Sequence, residues 1–236
     1  MQHISDSEDE YVVFAQNARS AQQDVSNSQR AHGPPYKLEN ILDIVTRLQN
    51  AQIPCFLAGA QALKHFGAKL VQTFCVFAVP HNTHDRAVEL LSSQSDLTLD
   101  TTFSPWSVSG PSLDYPCFCL NETSLRILIV PDRAWGLECL PGNVEIDENT
   151  STPYPEGSHF AQSLLKTRDI NALELFVDGQ DSTLEWGYEN LQFGDHSWKK
   201  AIWEKTVREK GKRIPLEKPK HLYATRFRRK KVASAA

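Results

Sequence analysis

The stretch CFLAGAQALKHFGAKLVQTFCVFAVP, residues 55–80, sets a short apolar strand, a glycine turn, a helical segment closed by Gly67 and a longer apolar strand in direct succession. Nowhere else do these signals follow one another so closely, so the rest of the chain reads as packing and extension around this unit. Immediately upstream, Leu38, Ile41, Leu42, Val45 and Leu48 recur at helical spacing, with Lys37, Glu39, Asp43 and Arg47 off that face. Pro54 then disfavours helix at Ile53, and the chain enters the strand Cys55 to Ala58.

Downstream, Thr83 is placed to cap a helix running to about Ser93, with Ala87, Val88, Leu90 and Leu91 inward. Leu97 to Phe103 reads as a strand, and Cys117 to Leu120 with Leu125 to Val130 reads as a hairpin around Asn121 and Glu122. Between them, 105–116 is a Pro/Gly/Ser loop carrying Trp106. Asp132 to Leu140 reads as a turn of helix. The sharpest internal break is 141–157, rich in proline, glycine and acids. Helix is expected from Ser158 to a stop at Asp178 and Gly179, and again from about Ser197 to Lys210. The expected organisation is a disordered segment at 1–33, a core at 34–140, a linker or loop at 141–157, a helical subdomain at 158–214 and an extended basic tail at 215–236.

A chain of 236 residues with 40% hydrophobic and 23% charged residues can bury one substantial core with a helical appendage. No apolar run approaches the roughly 18 residues that span a bilayer. The start, MQHISDSEDEY, is acidic where a signal peptide is basic and then apolar, so an intracellular protein, cytoplasmic or nuclear, with no membrane contact is expected. Five cysteines, mostly in apolar runs, suit buried thiols in a reducing compartment. Cys117 and Cys119 share a strand face but lack the further ligands that zinc needs. Net charge is -4, yet residues 199–236 hold 14 Lys and Arg against 3 Glu, so an acidic body carries a basic tail.

The order helix, IPCFLAG, helix to glycine, apolar strand ending in proline resembles the nucleotidyltransferase fold, and most closely the minimal nucleotidyltransferase-like proteins common in fungi. The resemblance implies an α/β (α+β) protein with a mixed sheet flanked by helices and a C-terminal helical subdomain, the stretch SLLKTRDINALELFVDG resembling part of the latter. In that superfamily a Gly-Gly or Gly-Ser turn precedes a helix, and the next strand carries an acid-x-acid pair. Here Gly59-Ala60 stands at the turn, and thirteen residues on comes Phe74-Cys75-Val76. In a strand, i and i+2 share a face, so an acid-x-acid pair holds Mg²⁺ against a triphosphate with a third acid on a neighbouring strand. Phe74 and Val76 occupy those two positions and cannot bind a hard cation, while Leu125 to Val130 offers only Arg126. Glu122 and Asp132 flank that last strand in turns.

The resemblance therefore implies backbone contact with a nucleotide at Gly59, Ala60 and Gln61, no catalytic residue and no bound metal. The expected function is that of a non-catalytic relative kept for binding or scaffolding, with no cofactor. One alternative is an active enzyme with other Mg²⁺ ligands. Another is a nucleic-acid-associated protein acting through Arg226, Phe227, Arg228, Arg229, Lys230 and Lys231, whose composition equally suits a localisation signal or a solubilising tail. His81 and His84 read as a solvated loop beside a helix cap, and Trp135, Trp198 and Trp203 as packing residues.

Overall fold

The computed structural model describes residues 37–70, 74–101, 115–123, 125–210, 212 and 224–225. The expectations for residues 1–33, for the Trp106 loop and for Arg226 to Lys231 lie outside the described residues.

Leu38–Asn50 forms helix α1, ended by the turn through Ala51 and Gln52 ahead of Pro54. The opening stretch follows as strand β1 (Phe56–Ala58), helix α2 (Ala60–His65), the two-residue strand β2 (Lys69–Leu70) and strand β3 (Phe74–Val79). A 3₁₀ turn, His81–Thr83, leads into α3 (His84–Ser92), then β4 (Leu97–Leu99), β5 (Cys117–Leu120) and β6 (Arg126–Pro131). Five strands form one mixed sheet in the order β1-β3-β6-β5-β4, parallel only between β3 and β6. This is the α/β architecture expected, a mixed sheet flanked by helices.

Alternation along the strands divides the sheet into two faces. Leu57, Cys75, Phe77, Val79, Ile127 and Ile129 point one way and pack with Ile41, Ile44, Val45 and Leu48 of α1 and with Ala87 and Leu91 of α3. Phe56, Ala58, Phe74, Val76, Ala78, Leu128 and Val130 point the other way, into a cluster with Trp135 and the C-terminal helices.

Those helices are α4 (Gly157–Thr167), α5 (Ile170–Gln180), α6 (Leu184–Asn190) and α7 (Ser197–Arg208). The single run expected from Ser158 is two helices: Arg168 takes a left-handed conformation (φ 56°) that ends α4, and Asp169 caps α5 by accepting the Ala172 N–H at 3.0 Å. Gly179 lies inside α5, which runs on to Gln180, because its missing side chain lets the helix meet another backbone: a Cβ there would stand 2.5 Å from the Phe66 carbonyl oxygen. Helix α6 carries no long apolar stripe, which is why periodicity does not show it; Thr183 caps it by accepting the Trp186 N–H.

The proline-rich segment 141–157 contains a 3₁₀ turn (Pro141–Asn143) and a two-stranded hairpin, β7 (Val144–Ile146) with β8 (Pro153–Pro155). Near the C-terminus, Ala224–Thr225 (β9) pairs antiparallel with β2, an element absent from the expected extended tail. No helix among the described residues is long and apolar enough to cross a membrane.

Candidate functional site

Gly59 links β1 to α2 with φ 60° and ψ −133°, a conformation that L side chains rarely adopt. A Cβ at this position would stand 3.0 Å from Cη2 of Trp135 and 3.7 Å from Cγ2 of Val76. The glycine therefore serves two needs at once: it permits the turn, and it lets an indole ring lie against the backbone. Trp135 reaches this place from the 3₁₀ turn Asp132–Trp135 that follows β6.

That turn is held by the Asp132 carboxylate, which accepts the backbone N–H groups of His81 at 3.1 Å, Arg133 at 2.8 Å and Cys139 at 3.0 Å. Three such bonds to a buried carboxylate meet most of its accepting capacity and fix where Trp135 starts. Cys139 adds a contact of its own, its thiol donating to the Ala78 carbonyl at 3.3 Å. Burial pushes that thiol well above the ordinary cysteine range.

Phe74 and Val76 are 8% and 2% exposed and belong to the cluster around Trp135. Register places Val76 beside Ala58 on one side and Leu128 on the other, and Phe74 beside Arg126. Arg126 pairs with Asp100, Nε to Oδ2 at 3.2 Å. At the positions where the family resemblance would set a metal-binding acid pair, the face of the sheet is therefore apolar and packed. Asp132 is committed to the backbone, and Glu122 is exposed in a turn with φ 63°. The donor set does not fit Mg²⁺, and among the described residues no group of three or more His, Cys, Asp or Glu is arranged to hold a metal ion.

Of the residues expected to touch a nucleotide, Gly59 is buried under Trp135, Ala60 is half-buried, and Gln61 turns inward so that its Nε2 donates to Cys75 Sγ at 3.1 Å. Helix α2 spans six residues. The structure thus brings Gly59 and Val76 together and adds Trp135, which nothing in the sequence tied to the glycine turn. The residues Arg226, Phe227, Arg228, Arg229, Lys230 and Lys231 lie outside the described residues.

Of the remaining thiols, Cys55, Cys75 and Cys117 are buried and Cys119 is half-buried. Burial pushes Cys55 up to about 12, and burial followed by the nearby Asp100 charge pushes Cys117 up to about 12. His84 is less solvated than expected, with Nε2 3.2 Å from the Ile129 carbonyl oxygen and Nδ1 3.2 Å from Asp85 Oδ1. A second histidine, His65 at the end of α2, stacks on Tyr154 (ring centroids 4.1 Å apart) and reaches Glu145 at 3.1 Å and Asp147 at 3.3 Å. It ties the β7–β8 hairpin to α2.

No protein-family model matches the chain, and no curated protein sequence matches it. Among solved structures, it is similar to ANT(2'')-Ia in complex with adenylyl-2''-tobramycin, with 9% identity and a TM-score of 0.40 over 73% of this chain and 97% of that one. It is also similar to JHP933 from Helicobacter pylori, with 13% identity and a TM-score of 0.37 over 76% and 96% of the two chains.

Proposed function

We propose that this chain is a nucleotidyltransferase-fold protein, of the minimal type common in fungi, that does not transfer nucleotides and acts by binding or scaffolding. In this proposal residues 34–140 are the core and 158–214 a helical subdomain laid over its glycine-turn face, joined by 141–157. One observation carries the proposal: where the fold would open a metal-binding cleft beside its glycine turn, Trp135 and Val76 pack onto Gly59. Catalysis of nucleotidyl transfer rests on paired carboxylates holding metal ions against the triphosphate, and this place offers apolar carbon.

The test is incorporation of label from radiolabelled nucleoside triphosphates into small-molecule, protein and RNA acceptors, with Mg²⁺ or Mn²⁺ present. The expected result is no turnover above the protein-free blank. Metal-dependent turnover that EDTA abolishes would overturn the proposal and favour an active enzyme with other ligands.

A second reading has its own support in the 14 Lys and Arg against 3 Glu over residues 199–236. In it the run from Arg226 to Lys231 contacts nucleic-acid phosphates, and affinity falls as salt rises. Deleting 215–236 is then expected to abolish the salt-sensitive binding contributed by that run, and an unchanged salt slope would remove the tail from consideration.

A further inference from the structure

We infer that His159 is a proton-sensitive latch: on gaining a proton it lets go of the segment 136–140 and loosens the seat of Trp135 on the Gly59 turn. The segment leaves the 3₁₀ turn that carries Trp135 and runs back along α4. Gly136 lies on the later part of that helix, where a Cβ would stand 3.6 Å from Thr167 Cγ2, 3.7 Å from Lys166 Cβ and 3.8 Å from the Ser163 carbonyl oxygen. Two residues on, Glu138 reaches the start of α4, its backbone N–H donating to His159 Nε2 at 2.9 Å. The next N–H, that of Cys139, donates to the Asp132 carboxylate at 3.0 Å. Two consecutive peptide groups thus hold the segment between the helix and the turn that carries Trp135.

The chemistry of the first bond fixes the state of the ring. A backbone N–H only donates, so Nε2 presents its lone pair and the imidazole is neutral, with its proton on Nδ1. A second proton fills that lone pair, and an N–H then faces an N–H. The bond exists only in the neutral form.

The surroundings hold His159 in that form. Burial, followed by the Lys166 charge on the same helix, keeps it below the ordinary histidine range; the carboxylates of Glu138, Glu156 and Asp132 oppose this. The ring also belongs to the first turn of α4, where the helix dipole disfavours a cation. A histidine depressed in this way contributes stability that is full above its unfolded value of about 6.5 and is lost as pH falls through the folded one.

The neighbouring contacts do not share this sensitivity. Asn143 Nδ2, an amide that does not titrate, donates to the Glu138 carbonyl at 3.2 Å. On the β7–β8 hairpin Glu145 and Asp147 flank His65, and a protonated ring keeps both of those contacts. Acid therefore opens one end only, the N–H side of Glu138 next to Trp135.

The test is amide and indole NMR of the full isotope-labelled chain between about pH 7.5 and about pH 5. The Glu138 amide, the Trp135 indole N–H and the His159 ring are expected to titrate together, with one midpoint below about 6.5. Hydrogen exchange over 136–140, corrected for the intrinsic pH dependence of exchange, is expected to lose about tenfold or more of its protection across that range while β3 and α5 keep theirs. His159→Gln, whose amide oxygen accepts the same N–H without titrating, is expected to retain the protection and abolish its pH dependence. His65→Gln is expected to leave the pH dependence in place. The melting temperature at about pH 7.5 reports whether each variant is folded. Equal protection over 136–140 at both ends of the range, pH dependence that persists in His159→Gln, a Glu138 midpoint different from that of the His159 ring, or a Trp135 indole indifferent to pH would each overturn the latch. A loss of protection that spreads to β3 would overturn it too, because that is unfolding of the whole chain.

Discussion

The two faces of the central sheet are built by different means. The face under α1 and α3 is a layer of aliphatic, aromatic and thiol side chains with no glycine in the cluster. The opposite face is built on glycines that let bulky groups touch backbone. Gly59 receives Trp135, the Gly67 turn meets Gly179, and Gly187 in α6 lies against the indole of Trp203, whose Nε1 would stand 1.9 Å from a Cβ there. A chain of rings, Phe66 to Phe176 to Trp186 to Trp203, runs through this side at centroid distances of 5.1, 5.9 and 5.6 Å. The indole N–H groups of Trp135 and Trp203 are buried here and find no hydrogen-bond partner among the described residues. The first face is held by bulk burial, which tolerates repacking; the second depends on specific shapes, which does not.

The sharpest break of this contrast is Gly187→Ala. The added methyl overlaps an indole that is fully buried, so a loss of about 3 kcal/mol or more is expected, up to failure to fold. Urea unfolding measures it, and a loss under about 1 kcal/mol would show that the glycine face can yield. Next comes Val76→Asp with Phe74→Asp, which restores the acid pair of the family resemblance. Because Val76 is 2% exposed against Trp135, the expected outcome is a less stable protein whose melting temperature does not rise with added Mg²⁺. A rise with Mg²⁺ would mean that a metal-ready cleft persists under the indole.

On the other face Leu48→Ala removes a fully buried side chain and is expected to cost about 2–5 kcal/mol, whereas Leu48→Met costs less than about 1.5 kcal/mol. A Met variant as damaging as the Ala variant would erase the distinction between the faces. The smallest effect is expected at Asp96. The hydrogen bonds from Arg47, 2.7 Å to each carboxylate oxygen, hold its carboxyl below the ordinary range; burial opposes this and the Arg47 charge adds to it. A depressed carboxyl contributes stability that is present above its unfolded value and is lost as pH falls through the folded one. The melting-temperature gap between the protein and Asp96→Asn should hold from about pH 8 to about pH 5 and narrow below about pH 4.

The same contrast explains what could be read from sequence. The α1 face was legible because Ile41, Val45 and Leu48 recur every three or four residues, and because β3 and the β5–β6 hairpin announce themselves as apolar runs bounded by turns. The glycine turn and the apolar pair Phe74 and Val76 were legible too, since one face of a strand follows from counting by two. Trp135 against Gly59 was not. The two are far apart in sequence, and a glycine carries no mark of what will press on it. Asp132 was noticed only as a flanking acid, because backbone donors from two 3₁₀ turns and from the irregular stretch at Cys139 leave no side-chain motif. Helix α6 escaped because it is short and its inward positions are half-buried Leu184 and Trp186 with buried Gly187, too few apolar side chains to show a periodic stripe. The split at Arg168 escaped because αL residues other than glycine have no strong sequence signal.

The meeting of the Gly67 turn with Gly179 has a consequence for how the molecule is made. The two glycines stand more than a hundred residues apart in the chain. The turn, β3 and Trp135 leave the ribosome well before the helix that covers them, by several seconds at about 5–20 residues per second. Closing so long a loop costs chain entropy before any contact is returned. During that interval Phe74, Val76 and the indole ring form an uncovered apolar surface, so the nascent chain is most vulnerable to misassociation on the side of the sheet that is most closely packed once it is complete.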